Sequence, residues 1–273
     1  MGHSQRDNTV LYFSIPTAAL VITASLCGFL CGNIYSHETS AWVAQAIGQD
    51  LVNVAVIVPT ILVSAFLLRS GKRAALLVWL GTMMYTAYTF VIYSFSVHFN
   101  PLFLVYCWAL GLSAYAFITV VVKSGAAPVK EWFDEARGEY LVSTVVLLAG
   151  VLFYLLWLKE DLPAMLGNRT PDNLQASGLM TNPVHVLDYS LILPGFIVSS
   201  ILLMKKHAIG YLLAPVFLIF GILMYVTIAI LVVVMQMKGI TDTAGAAIVF
   251  LLFAVVGTLV LLRFLRHMKK ATR

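Results

Sequence analysis

His185 and Asp188 stand three residues apart inside an apolar stretch, and Asp50 and Asn53 repeat that spacing near the start of another. Residues three apart on a helix share a face, so each pair aims two polar groups in one direction. Imidazole and carboxylate are ordinary ligands for Zn²⁺ and similar divalent ions. His98 and Asn100 add polar groups just ahead of a further apolar run. Converging, His98, His185, Asp188 and Asp50 would hold a metal whose open position activates water against a lipid or lipid-linked substrate. No HExxH motif, paired CxxC or phosphate-cradling glycine loop accompanies them.

A second pattern is a stripe. Thr82, Thr86, Thr89 and Tyr93 recur with a period of about 3.5, and Tyr85 lies beside them. Hydrocarbon cannot satisfy hydroxyls, so such a stripe is expected to face the interior of a bundle or a wet cavity. Together these residues predict a pocket open to one membrane face. Asp50, Asn53, Tyr93, His98, Asn100, His185 and Asp188 would form its rim, and Thr82, Tyr85, Thr86 and Thr89 its lining.

The elements that must position these groups are membrane helices. Of 273 residues, 61% are hydrophobic and 11% charged, far from the balance of a soluble domain. Eight apolar runs are long enough to cross a bilayer, at about 11–34, 51–68, 74–94, 101–122, 140–158, 184–204, 208–235 and 244–262. Each must satisfy its own backbone, which makes them helices and the chain a single all-α, polytopic domain over 1–273. On these boundaries Asp50 lies at the mouth of the second run, and Asp188 about 25 Å above the Lys205 end of the sixth.

Charge sets the orientation. Of the 17 Lys and Arg, only Lys159, Arg169 and Lys238 fall on the side opposite the other 14, which include Arg6, Arg69, Lys72, Arg73, Lys123, Arg137, Lys205, Lys206 and the C-terminal cluster. The positive-inside rule makes the rich side cytoplasmic and both termini internal, as in a prokaryotic plasma membrane. The net charge of +5 is read as this anchoring against lipid, with no nucleic-acid partner.

Smaller features complete the expectation. Cys27 and Cys31 sit beside Gly28 and Gly32 in a small-residue packing motif rather than a disulfide framework. Residues 123–139 read as an amphipathic segment on the membrane surface, and 159–182 as a loop that covers something. Glu160 and Asp161 read as solvated loop charges, and Glu139 as an interface residue beside Arg137. Three functions fit: a metal-dependent membrane enzyme, a transporter or channel for a small neutral or lipophilic solute, and a non-catalytic subunit or receptor within a homo-oligomer or a larger complex.

Overall fold

The computed structural model describes residues 8–133, 138–242 and 244–269. Arg6, Arg137, Lys270 and Arg273 of the charge pattern lie outside them. Among the described residues, eight helices are long and apolar enough to span a membrane: Thr9–Leu30, Ser40–Arg69, Ala74–Ser96, Phe103–Ser124, Glu139–Leu166, Pro183–Met204, Ala208–Met237 and Gly245–Leu265. They are called spans 1 to 8. The chain is a multi-pass helical membrane protein.

Two spans outrun their apolar cores. Span 2 begins at Ser40 and not near 51, capped by Thr39, whose hydroxyl accepts from the Trp42 amide at 3.3 Å. Gln45, Gln49 and Asp50 lower the hydropathy of its first turns. The helix forms because Ala44, Ala46 and Gly48 on its other side are buried by neighbouring spans. Asp50 is therefore not at the mouth of span 2 but about 15 Å along it. Span 5 likewise runs on to Leu166, which puts Asp161 on a helix and not in a loop.

The eight helices pack as two rings of four. Span 1 touches 2 and 4, span 3 touches 2 and 4, and in the second ring span 5 touches 6 and 8, and span 7 touches 6 and 8. The rings meet where span 7 packs on spans 2 and 3, and where the first turn of span 6 meets span 3. Exchanging span 2 with 6 and span 3 with 7 preserves these contacts, although the further contact of span 7 with span 5 has no like counterpart between spans 3 and 1. The two rings are thus related by an approximate exchange about the contact of spans 3 and 7.

Local chemistry repeats with it. Asp50, Asn53, Pro59 and Ser64 on span 2 match His185, Asp188, Pro194 and Ser199 on span 6 in spacing. Both helices widen into a π-helical turn ahead of the proline, at Asn53–Ile57 and Asp188–Ile192. Proline lacks an N–H, and its ring clashes with the carbonyl four residues back. Widening the preceding turn relieves that clash without ending the helix. The starts of spans 4 and 6, each with an Asn-Pro pair, are less alike. Asn182 caps span 6 directly, accepting from the Val184 and His185 amides, whereas Asn100 accepts from the Leu102 amide in a turn ahead of span 4.

Glycines let the helices approach closely, as is usual where lipid gives no hydrophobic drive for association. Gly81 of span 3 faces Ile219, Gly48 of span 2 faces Leu231, and Gly257 of span 8 faces Ile222, all on span 7. Span 7 is the hub. At the basic end, the described part of the connection, residues 125–133, packs against span 7 and is not laid on the membrane. Val129 and Phe133 of this segment are buried, with Phe133 stacked on Phe264 at 4.6 Å. Glu139 is buried too, and accepts from the Tyr211 hydroxyl.

Candidate functional site

Span 6 meets span 3 chiefly through its first turn, and the space left below that contact is a cavity of about 510 Å³. It is walled by spans 2, 3, 5, 6 and 7 with one residue of span 8, and span 4 takes no part. Along span 7 it reaches from Met235 down to Phe220, about 22 Å. Leu174, Ser177 and Leu179 of the 167–182 connection line its upper end, and Thr39 holds that connection by donating its hydroxyl to the Ser177 carbonyl at 3.5 Å. The connection thus lies over the cavity.

Asp188 is the focus of this space. It is 8% exposed and lines the wall. Tyr88 of span 3 donates to one carboxylate oxygen at 3.2 Å, and the Trp157 indole N–H of span 5 donates to the other at 2.8 Å. Three spans from two rings therefore meet at one carboxylate. One turn above, the His185 ring stacks on Trp157, with centroids 4.4 Å apart, and its Nδ1 lies 2.8 Å from an Asp161 oxygen. The stack and the ion pair hold Trp157 at the angle that reaches Asp188.

The expected rim residues divide among three places. Tyr93, His185 and Asp188 line the cavity, as does Thr89 of the expected stripe. Asp50 and Asn53 do not; they turn into the first ring. The Asp50 carboxylate, 1% exposed, accepts from Tyr35 at 2.7 Å and Tyr93 at 3.0 Å. Tyr35 lies between spans 1 and 2, where burial and the neighbouring Asp50 raise its phenol well above the ordinary value and keep it a donor. His98 and Asn100 stand apart at the end of the first ring. There His98 Nδ1 lies 3.0 Å from Glu38, and Asn100 donates to the His98 carbonyl.

The stripe is also divided. Thr82 and Thr86 are buried and donate to carbonyls of their own helix, Val78 and Thr82. Tyr85 is fully buried in a chain of hydrogen bonds that crosses the ring interface. Gln49 donates both to Asn53 Oδ1 and to the Tyr85 oxygen at 2.9 Å, Asn53 donates to Ser25 at 3.0 Å, and Tyr85 and Thr227 lie 2.6 Å apart. Thr227 already donates to the Leu223 carbonyl and Tyr85 already accepts from Gln49, so the Tyr85 proton goes to Thr227. Spans 1, 2, 3 and 7 are joined by this chain.

The expected metal set is not assembled. Among the described residues, no three His, Cys, Asp or Glu side chains converge as ligands. His98 and Asp50 are held by partners of the first ring, His185 by Asp161 of the second, and Asp188 by one donor from each ring. The Cys27 and Cys31 pair also stays unpaired by disulfide. Beside it, Gly28 is needed because Asp50 and the Tyr35 hydroxyl occupy the place of its Cβ, while nothing lies near that of Gly32. Comparison with known proteins adds no second source: no family model, no curated protein and no solved structure matches the chain.

Several residues of the site gave no signal in the sequence. Trp157 and Tyr88 look like any aromatic residue of an apolar run, and Asp161 looks like a loop charge because hydropathy falls at Lys159. A signal was present for Tyr88, which lies three residues beyond Tyr85 on the same helix side as the stripe.

Proposed function

We propose that this protein is a transporter for a small, largely apolar solute, with its cavity open to the outer face of a prokaryotic plasma membrane. The observation that carries this is the placement of the cavity between two equivalent rings, bordered by span 6, which like its counterpart span 2 is interrupted at a π-helical turn and a proline. Repeats with interrupted helices at matching positions are the usual means by which secondary transporters build a site and let one half rock against the other. The cavity wall is mostly aliphatic and aromatic, and its floor near Phe196 and Phe220 stands about 18 Å from the basic end of span 7. Below that floor Phe217 packs on Gly195 and Ile219 on Gly81, which would close the path towards the cytoplasm. The large exposed apolar side chains of the outer surface, such as Phe66, Trp108 and Leu155, are left to the lipid.

The test is thiol accessibility in cells, with Cys27, Cys31 and Cys107 replaced by Ala. A cysteine at Thr89 should react with a membrane-impermeant reagent added outside. A cysteine at Thr82, about 10 Å lower on the same helix, should react only from the cytoplasmic side, when that side opens. Transport is refuted if Thr82→Cys stays unreactive from both faces, and an outward orientation is refuted if Thr89→Cys is unreactive from outside.

A further inference from the structure

We infer that the solute carries an organic ammonium group and that Asp188 binds it; this rests on the cavity serving as the solute site. Three independent features point to that class. The first is charge. Apart from tyrosines, Asp188 and His185 are the cavity's ionisable residues, and no lysine or arginine lines it. His185 is already engaged by Asp161. An anionic head group would find no lysine or arginine there and would meet a carboxylate.

The second feature is the geometry of Asp188. A carboxylate offers about four acceptor positions, and Tyr88 and Trp157 use one on each oxygen. Both donors are fixed by packing, since Tyr88 lies edge-on to Phe220 at 5.3 Å and Trp157 stacks on His185. The carboxylate is thereby held still with acceptor positions to spare, and it borders the open space. The two donors supply hydrogen bonds only, and the nearby basic side chain, His185, is bonded to Asp161 and not to Asp188. A ligand cation would add a direct counter-charge.

The third feature is aromatic. Phe153 lies 6.0 Å from Trp157 and stacks on Tyr225 at 5.9 Å, and all three line the cavity with Tyr88. Ring faces attract ammonium ions within about 6 Å, more so where water is excluded. A carboxylate among such rings suits a primary amine or a quaternary ammonium alike. The apolar wall from Leu193 to Met224 then suits a hydrocarbon body.

A matched series separates head group from body: radiolabelled n-hexylammonium, n-hexyltrimethylammonium, n-hexanol and n-hexanoate, in equilibrium dialysis against full-length protein in detergent, with protein-free micelles subtracted. The ammonium probes should bind saturably, at least about tenfold more tightly than hexanol, with hexanoate weakest. Asp188→Asn should erase that preference and leave hexanol affinity within about twofold. If Asp188→Asn does not fold, the ranking on the natural protein still decides. Hexanol binding as tightly as the ammonium probes overturns the ammonium assignment and leaves the cavity as a solute site. Binding of every probe that is unchanged by Thr89→Trp, which places an indole in the cavity that Thr89 lines, overturns both, as does no binding at all.

Discussion

The Tyr85–Thr227 hydrogen bond joins the two rings at the contact of spans 3 and 7, and breaking it should loosen one against the other. In Tyr85→Phe the ring keeps its packing on Phe220, 6.2 Å away, and only the hydroxyl is lost. Two partners change. Gln49 loses an acceptor, and Thr227 loses a donor while keeping its bond to the Leu223 carbonyl. A buried donor left unpaired costs about 1–3 kcal/mol. Gln49 borders the cavity, where water can replace the lost acceptor, so the lower half of that range applies, about 1–2 kcal/mol. Thr227→Val keeps the shape of the side chain and removes the same bond from the other side.

A double-mutant cycle isolates the bond itself. Interhelical hydrogen bonds in membrane proteins average about 0.6 kcal/mol and reach about 1.7. The short 2.6 Å contact and full burial of Tyr85 place this one in the upper part, so a coupling of about 1 kcal/mol is expected. Unfolding of the four proteins in bicelles by denaturant titration gives the value. Single-mutant effects that add within about 0.3 kcal/mol would refute the reasoning, because independent sites behave that way.

The remaining predictions concern glycines, histidines and prolines. Gly28→Val should destabilise by about 1–3 kcal/mol, since Asp50 and Tyr35 already fill the added volume, whereas Gly32→Val should be within about 0.5 kcal/mol; melting in detergent compares them, and equal effects would contradict the packing at Gly28. His185→Ala strands the partly buried Asp161 carboxylate and removes the brace behind Trp157, for about 1–3 kcal/mol. His98→Ala leaves the Glu38 carboxylate, 2% exposed, with the backbone N–H of residue 98 as a remaining donor and should cost about 1 kcal/mol; a larger loss for His98 than for His185 would reverse the ranking. Pro194→Ala restores an N–H and allows the π turn of span 6 to close into regular helix. It should hold or raise the melting temperature while slowing cytoplasmic labelling of Thr82→Cys, and unchanged labelling would remove the π turn from the mechanism.

The number of spans was legible because apolar length depends on composition alone. The boundaries failed where a helix continues into polar residues satisfied by other helices. Gln49 and Asp50 made the start of span 2 look like a loop, although Asn53, Tyr85, Tyr35 and Tyr93 accept or supply every bond they need. The polar residues of interest were legible as types and spacings, but their directions were not. Asp50 with Asn53 and His185 with Asp188 have the same spacing, and only ring membership decides which cavity or neighbour each faces. Hydropathy also carries no trace of the ring order, since it treats span 4 and span 5 alike, and the site uses span 5. The repeat was hidden for a related reason. It preserves a proline, a serine and two polar positions per ring, while the apolar residues between them are free to vary.

Matching the rings places Asp188 opposite Asn53, and there the two halves diverge. Each residue opens its π turn and each bonds a side chain of the first helix of its own ring, Asn53 to Ser25 and Asp188 to Trp157. The amide sits where span 2 is closed on span 7 by Gly48 against Leu231, and the carboxylate sits where span 6 stands away from span 3. The carboxylate of the first ring, Asp50, is held by two tyrosine donors, whereas position 53 has no such pair and no cavity beside it to hydrate a charge or hold a counter-ion. Asn53→Asp should therefore cost more than about 3 kcal/mol, as an uncompensated buried charge that has also lost its donor to Ser25. Asp188→Asn keeps an acceptor for one of its two donors and should cost about 1–2 kcal/mol. Denaturant titration of the two variants side by side measures the difference. Equal losses would mean that the asymmetry between the halves is not electrostatic, and that the cavity in the second ring does not explain where the carboxylate is found.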